Sequence, residues 1–146
     1  EKAGIATTIA SREPGICRGN QGGTAEAVIG LNQINAEDFD AVIFVGGSGS
    51  QIFVDDPAAL LLAQKAFEND KIVAAICAGP TILAAAGVLK NKKSTVFADP
   101  ELQKFLTESG ATLSENPVAV DGKIITANGP SAAEKFGEAI LEKLEK

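Results

Sequence analysis

One stretch decides the fold of this chain: Lys71-Ile72-Val73-Ala74-Ala75-Ile76-Cys77-Ala78-Gly79-Pro80. The five residues after Lys71 are all apolar, and three of them are β-branched. This composition is typical of a strand buried on both faces of a sheet. Pro80 is favourable in the first turn of a helix. The stretch therefore predicts a strand over Lys71–Ile76, a very short turn, and a helix from about Pro80 to Ala86.

Cys77 lies where the strand gives way to the helix, and its surroundings fit a nucleophile elbow. The small Ala75 and Gly79, each two residues away, relieve crowding in such a turn. A thiol facing the start of a helix is favoured as thiolate, the reactive form. The alternative is that Cys77 is an inert, small hydrophobic residue in an alanine-rich segment. The residues by themselves do not decide between a nucleophile and a core residue.

On both sides of this stretch, strands and amphipathic helices alternate along the chain. This alternation predicts an α/β fold with a parallel sheet sandwiched between helices, followed by a C-terminal β-hairpin. Asp56-Pro57 and Asp99-Pro100 each place an N-cap acceptor before a proline, which marks two of the helix starts. The predicted elements are strands over Ile5–Ile9 and Ala41–Val45, helices over Pro57–Asn69 and from Pro100 to Gly110, a hairpin of Val118–Val120 with Lys123–Ala127, and a helix from Ser131 onward.

A glycine-rich turn, Gly46-Gly47-Ser48-Gly49-Ser50, follows the strand Ala41–Val45. Ligands of open α/β sheets bind beyond the carboxyl ends of the strands, so this turn and Cys77 are the two places to search. Backbone N–H groups of Gly46 or Gly47, together with that of Ala78, could stabilise an oxyanion. Two alternatives remain for this turn. It is a tight connection that binds no ligand, or it is a site for a phosphate or a flavin.

The amino-acid composition excludes several classes of function. The 146 residues suggest one domain spanning 1–146, and the charge of −6, from 13 basic and 19 acidic residues, makes nucleic-acid binding improbable. The sequence has no His, which excludes a Ser-His-Asp triad and a Cys-His pair from this chain taken alone. Cys17 and Cys77, 60 residues apart, form no metal motif. We therefore expect no metal, no cofactor, no membrane partner and a reducing, cytoplasmic location.

Three motifs in this order and spacing resemble the ThiJ/PfpI family. They are Val45-Gly46-Gly47, Ala74–Pro80 with Leu83–Gly87, and Asp121–Pro130. The resemblance implies a flavodoxin-like fold, a homodimer or larger assembly, and an easily oxidised cysteine nucleophile. It implies roles for the following residues: Cys77 as nucleophile, Ala78, Gly46 and Gly47 as backbone donors, and Ser48, Asn128, Gly129 and Pro130 as pocket wall.

The resemblance also implies an activity. We expect a cysteine-dependent glyoxalase or deglycase acting on small reactive aldehydes such as methylglyoxal; a redox-sensing or chaperone-like stress protein is the alternative. An intracellular peptidase is less favoured, because Ala78 and Gln51 stand where such members carry His and a carboxylate. Glyoxalase-like members often have a His where this chain has Phe97 or Ala98.

The family's first strand and helix, including a catalytic Glu, would precede Glu1. Glu1–Gly4 resembles the last turn of a helix, so we expect the chain to be truncated at its N-terminus by about 25 residues. A strand supplied by another chain and a rearranged variant of the fold are the alternatives. Without that strand, Ile5–Ala10 and Ala41–Val45 would carry unpaired backbone groups.

Overall fold

The computed structural model describes residues 3–146, and the chain divides into two compact units, Glu1–Asn35 and Ala36–Lys146. Glu1 and Lys2, which begin the predicted helix tail, lie outside the described residues.

The smaller unit contains four short strands. The strand β1 (Ala10–Ser11) runs parallel to β4 (Ile29–Gly30), and β2 (Gly15–Arg18) pairs antiparallel with β3 (Thr24–Ala27). The prediction of a strand over Ile5–Ile9 is wrong, because regular pairing starts only at Ala10.

The physical reason lies in burial. Ile5 and Ile9 are both more than 40% exposed, so their β-branched side chains have no core to stabilise a strand. The polar residues between Arg12 and Gly23, which carried no strand prediction, include one arm of a hairpin. Tertiary pairing therefore overrides the local pattern in this unit.

The larger unit is built on a four-stranded sheet. Its strands are β5 (Ala41–Val45), β6 (Ile72–Ile76), β9 (Val118–Asp121) and β10 (Ile124–Ala127), in the spatial order β5-β6-β10-β9. The first two pairings are parallel and β9 joins β10 as an antiparallel hairpin, as predicted. Two short strands, β7 (Lys93–Ser94) and β8 (Thr112–Leu113), form a separate parallel pair.

Four helices follow the predicted positions: α1 (Pro57–Glu68), α2 (Pro80–Ala85), α3 (Pro100–Glu108) and α4 (Ala133–Leu144). The Asp56 carboxylate accepts from the Ala58 N–H at 3.0 Å, and the Asp99 carboxylate accepts from the Glu101 N–H at 2.9 Å. Both predicted N-caps are thus confirmed. None of the helices in residues 3–146 has the length and apolar character needed to cross a bilayer.

Helices cover both faces of the sheet, which confirms the predicted α/β architecture. On one face, Phe136 and Ile140 of α4 pack on alternate residues of β6 and β10, in a cluster of buried side chains: Ile72, Ala74, Ile76, Ile125, Ala127 and Ala132. Val73 and Ala75 alternate to the opposite face, are fully buried, and lie on the side of α1 and α2.

The strand β5 ends the sheet, since among the described residues it pairs with β6 alone. Its register places Ile43 opposite Ala74 and Val45 opposite Ile76, and therefore on the α4 face. Ile43 is nonetheless 45% exposed and Val45 73% exposed, so α4 does not cover these two residues, although Ala41 packs against its cluster.

Candidate active site

The backbone at Cys77 is left-handed, with φ of +64°. Only two other non-glycine residues of the described chain have positive φ, and these are Asp70 and Asn91, residue types that tolerate it. For other L-residues this conformation costs about 1–2 kcal/mol. Cys77 is half-buried, with a free thiol. The strained strand-to-helix turn predicted for a nucleophile elbow is therefore present.

Two hydrogen bonds fix the Cys77 backbone to its neighbours on either side. Its N–H donates to the Ala127 carbonyl at 2.9 Å, and its own carbonyl accepts from the Phe97 N–H at 2.9 Å. Ala127 ends β10, whereas Phe97 follows the buried residues after β7. The elbow is thus held between the end of β10 and the segment that follows β7.

The next peptide groups are held just as firmly. The Gly79 N–H donates to the Ile76 carbonyl at 3.0 Å, and the buried Thr81 hydroxyl donates to the Ala78 carbonyl at 2.6 Å. In the part of the chain that the structure describes, the Ala78 N–H has no acceptor. A rigidly held N–H without a partner, one residue after a thiol, is available to stabilise a developing negative charge.

The N–H groups of the glycine turn, which the sequence predicts as oxyanion donors, have acceptors within the chain. The Gly46 N–H donates to the Ile76 carbonyl at 3.0 Å, and the Gly47 N–H donates to the Ser50 hydroxyl at 3.0 Å. Both donors therefore already have partners in this conformation. Gly46 is needed for space, because a Cβ there would lie 2.4 Å from the Ala78 nitrogen.

The predicted pocket wall lies partly beside the elbow. Asn128 and Gly129 follow Ala127 directly, and continuing the Ala127–Ile76 register places Asn128 level with Cys77. Asn128 is half-buried, Gly129 is buried with φ of +151°, and Pro130 is exposed. The exposed Ser48 opens a 3₁₀ turn, Ser48–Phe53, after the glycines.

A cleft of about 200 Å³, which no sequence pattern predicts, lies beside Thr81 of α2. Its lining comprises Gln51, Val54, Thr81, Glu101, Leu102 and Phe105. The Gln51 amide donates to the Thr81 hydroxyl at 3.5 Å, which links the cleft to the Ala78 carbonyl. The available signal was a threonine four residues after the cysteine, because such hydroxyls often bond a carbonyl three or four residues earlier. The described residues contain no group of three potential metal ligands.

The strain at residue 77 is testable. Cys77→Gly removes the Cβ that opposes positive φ, whereas Cys77→Ala keeps it, so we expect the glycine variant to be the more stable by about 1 kcal/mol. Urea unfolding of the two variants measures this difference. An alanine variant more stable than the glycine variant would show that the turn is relaxed.

Comparisons with known proteins agree with this fold. The chain matches the DJ-1/PfpI family over residues 1–143. An uncharacterized protein of Methanocaldococcus jannaschii is 37% identical over 147 residues, covering all of this chain and 72% of that protein. A deglycase of Pyrococcus horikoshii is 32% identical over 123 residues, covering 84% of this chain and 73% of that protein.

A glutathione-independent glyoxalase of Caenorhabditis elegans is 28% identical over 117 residues, covering 80% of this chain and 61% of that protein. The crystal structure of a ThiJ/PfpI domain protein from Brachyspira murdochii superimposes with a TM-score of 0.94 at 33% identity, over 99% of this chain and 82% of that one. The sheet order, the strained elbow and these matches lead to one conclusion: the chain belongs to the DJ-1/PfpI family.

Proposed function

We propose that this protein is a cysteine-dependent glyoxalase or deglycase that acts on small reactive aldehydes, with Cys77 as its nucleophile. The observation that carries the proposal is the half-exposed Cys77 at φ +64°, followed by an Ala78 N–H without an acceptor in the described residues. The names of the Pyrococcus and Caenorhabditis relatives support the same reaction class.

The first step is addition of the Cys77 thiolate to the aldehyde carbon of a dicarbonyl. A sulfur–carbon bond forms, and the carbonyl π electrons move to oxygen, where the Ala78 N–H stabilises the charge. Transfer of the aldehyde hydrogen to the neighbouring carbon, as a proton, then gives a thioester. Water cleaves the thioester, so that methylglyoxal plus water gives lactate without an external oxidant.

The hydrogen transfer needs a base, which the segments around the elbow do not contain. Residues 44–48, 76–81, 96–98 and 127–130 include no carboxylate and no His. Carbonyl addition is therefore the step that Cys77 and Ala78 support, and the base comes from outside these four segments. A peptidase role has no support, because Ala78 follows the cysteine and the sequence contains no His.

Lactate formation from methylglyoxal tests the proposal, with Cys77→Ser as the variant and Cys17→Ser as the matched control. We expect Cys77→Ser to lose at least about 100-fold in kcat/KM, because a serine hydroxyl without a base is a poor nucleophile. Cys17, in the separate hairpin of β2 and β3, is free and half-buried as well, and its variant should keep wild-type turnover.

Equal turnover by wild type and Cys77→Ser would reject Cys77 as the nucleophile. Absence of turnover in the wild type, combined with peroxide oxidation of Cys77 well ahead of Cys17, would instead favour the redox-sensing alternative. A homodimer or larger assembly and a cytoplasmic location stay predictions.

A further inference from the structure

Phe97 lies beside the elbow, although it is not among the residues that the proposed reaction uses. Its N–H donates to the Cys77 carbonyl at 2.9 Å, and the preceding Val96 is buried, so its backbone position is fixed. The side chain is 45% exposed. A large apolar ring therefore meets solvent in the segment that is hydrogen-bonded to the candidate nucleophile.

The ring reaches toward the segment on the other side of Cys77. Its Cδ2 lies 3.4 Å and its Cε2 3.8 Å from the position that a Cβ on Gly129 would occupy. Gly129 comes two residues after Ala127, which accepts the Cys77 N–H. The ring thus joins the two segments that hold the elbow, packed against the buried Gly129 on one side and open on the other.

The segment that carries Phe97 has no charged group. Residues 94–98 read Ser-Thr-Val-Phe-Ala and contain no ionisable side chain. The side chains of Ser94, Thr95 and Val96 are buried, which leaves the Phe97 ring as the large exposed group of the segment. A substrate with an aryl or bulky alkyl substituent would cover this ring, and favourable aromatic contacts increase binding by a factor of about 2 to 10.

We propose that Phe97 is a specificity-determining residue, which makes Cys77 prefer carbonyl compounds with an aryl or bulky apolar substituent over small ones such as methylglyoxal. This inference rests on the proposed function, in which the Cys77 sulfur adds to the carbonyl carbon and the resulting alkoxide takes a proton from water. Phe97 takes no part in bond formation and acts only on which substituent is accommodated.

Selective alkylation tests the inference without requiring turnover. Cys77 and Cys17 are labelled in the same molecule with N-phenylmaleimide or N-ethylmaleimide, and peptide mass spectrometry gives the phenyl-to-ethyl rate ratio at each cysteine. We expect the ratio at Cys77 to exceed that at Cys17, and to fall by about 2- to 10-fold in Phe97→Ala. Phe67 of α1, which is 43% exposed, provides the matched control: Phe67→Ala should leave the ratio unchanged.

A second variant distinguishes loss of the aromatic ring from loss of the fold. Phe97→Leu keeps an apolar side chain to pack on Gly129 but removes the aromatic face, so it should also lower the phenyl-to-ethyl ratio. Both variants keep the backbone N–H that bonds Cys77. A ratio at Cys77 that is unchanged in folded Phe97→Leu, or that equals the ratio at Cys17 in the wild type, would overturn the proposal.

Kinetics then connect the selectivity to catalysis. Wild type should show a higher kcat/KM for phenylglyoxal than for methylglyoxal, and Phe97→Leu should reduce this preference mainly through KM. If neither dicarbonyl is turned over, the proposed function fails, whereas the maleimide ratios still decide the role of Phe97. Turnover of both with no change of preference in Phe97→Leu would retain the function and reject the specificity role.

Discussion

Gly46→Ala should destabilise the protein by at least about 3 kcal/mol, a large share of the roughly 5–15 kcal/mol that holds a typical domain folded. The added Cβ would lie 2.3 Å from the Gly79 nitrogen, 2.4 Å from the Ala78 nitrogen and 2.7 Å from the Ile76 carbonyl oxygen. All three are main-chain atoms of the elbow, which cannot rotate away as a side-chain terminus would. The clash should also displace the Ala78 N–H and lower the reactivity of Cys77.

Gly47→Ala is the matched control for this substitution. A Cβ on Gly47 would meet no atom within 4 Å, and its φ of 179° is extended backbone that alanine can adopt. We expect its free energy of unfolding to remain within about 0.5 kcal/mol of wild type. Urea unfolding and Cys77 alkylation of both variants measure the contrast, and similar stabilities for the two would contradict the close contact at Gly46.

Phe136→Ala should cost about 3–5 kcal/mol, because it removes a large buried side chain and leaves a cavity under the sheet. Phe136 is 6% exposed and belongs to the cluster between α4 and the strands β6 and β10, against which Cys77 also packs. The cavity would loosen the support of the elbow, so the thiol should react faster with maleimide. Thermal and urea unfolding measure the first effect, and alkylation kinetics the second.

Phe67→Ala again serves for comparison, since this phenylalanine of α1 is 43% exposed. Its loss should change the free energy of unfolding by less than about 1 kcal/mol. If Phe136→Ala were no more destabilising than Phe67→Ala, the α4 cluster would not be the support of the sheet.

The central sheet and its helices were predictable because their local and tertiary signals agree. Ile72–Ile76 is apolar at every position and buried at every position, as a strand covered on both faces requires. The starts of α1 and α3 carry an Asp-Pro pair, whose capping carboxylate and fixed φ act locally. The elbow itself could be predicted from Ala75, Cys77 and Gly79.

The remaining features depend on hydrogen bonds and packing between segments distant in sequence, which no local sequence pattern encodes. Ile5–Ile9 has a strand-like composition without the burial that would stabilise a strand, whereas Gly15–Arg18, which carries no strand prediction, pairs with β3 in a hairpin. The N–H groups of Gly46 and Gly47 were expected to face a substrate, but an adjacent strand end and the Ser50 hydroxyl accept them. Only the three-dimensional arrangement reveals such competition between acceptors.

The open side of β5 has a consequence for the behaviour of the protein in solution. Five apolar residues in a row, bonded to a neighbour along one side only among the described residues, form a template on which an extended peptide can add as a further strand. Nothing charged interrupts Ala41–Val45, and such charges are the usual protection against cross-chain pairing. While this edge stays unpaired, preparations should self-associate as they are concentrated, and Val45→Lys should keep them dispersed.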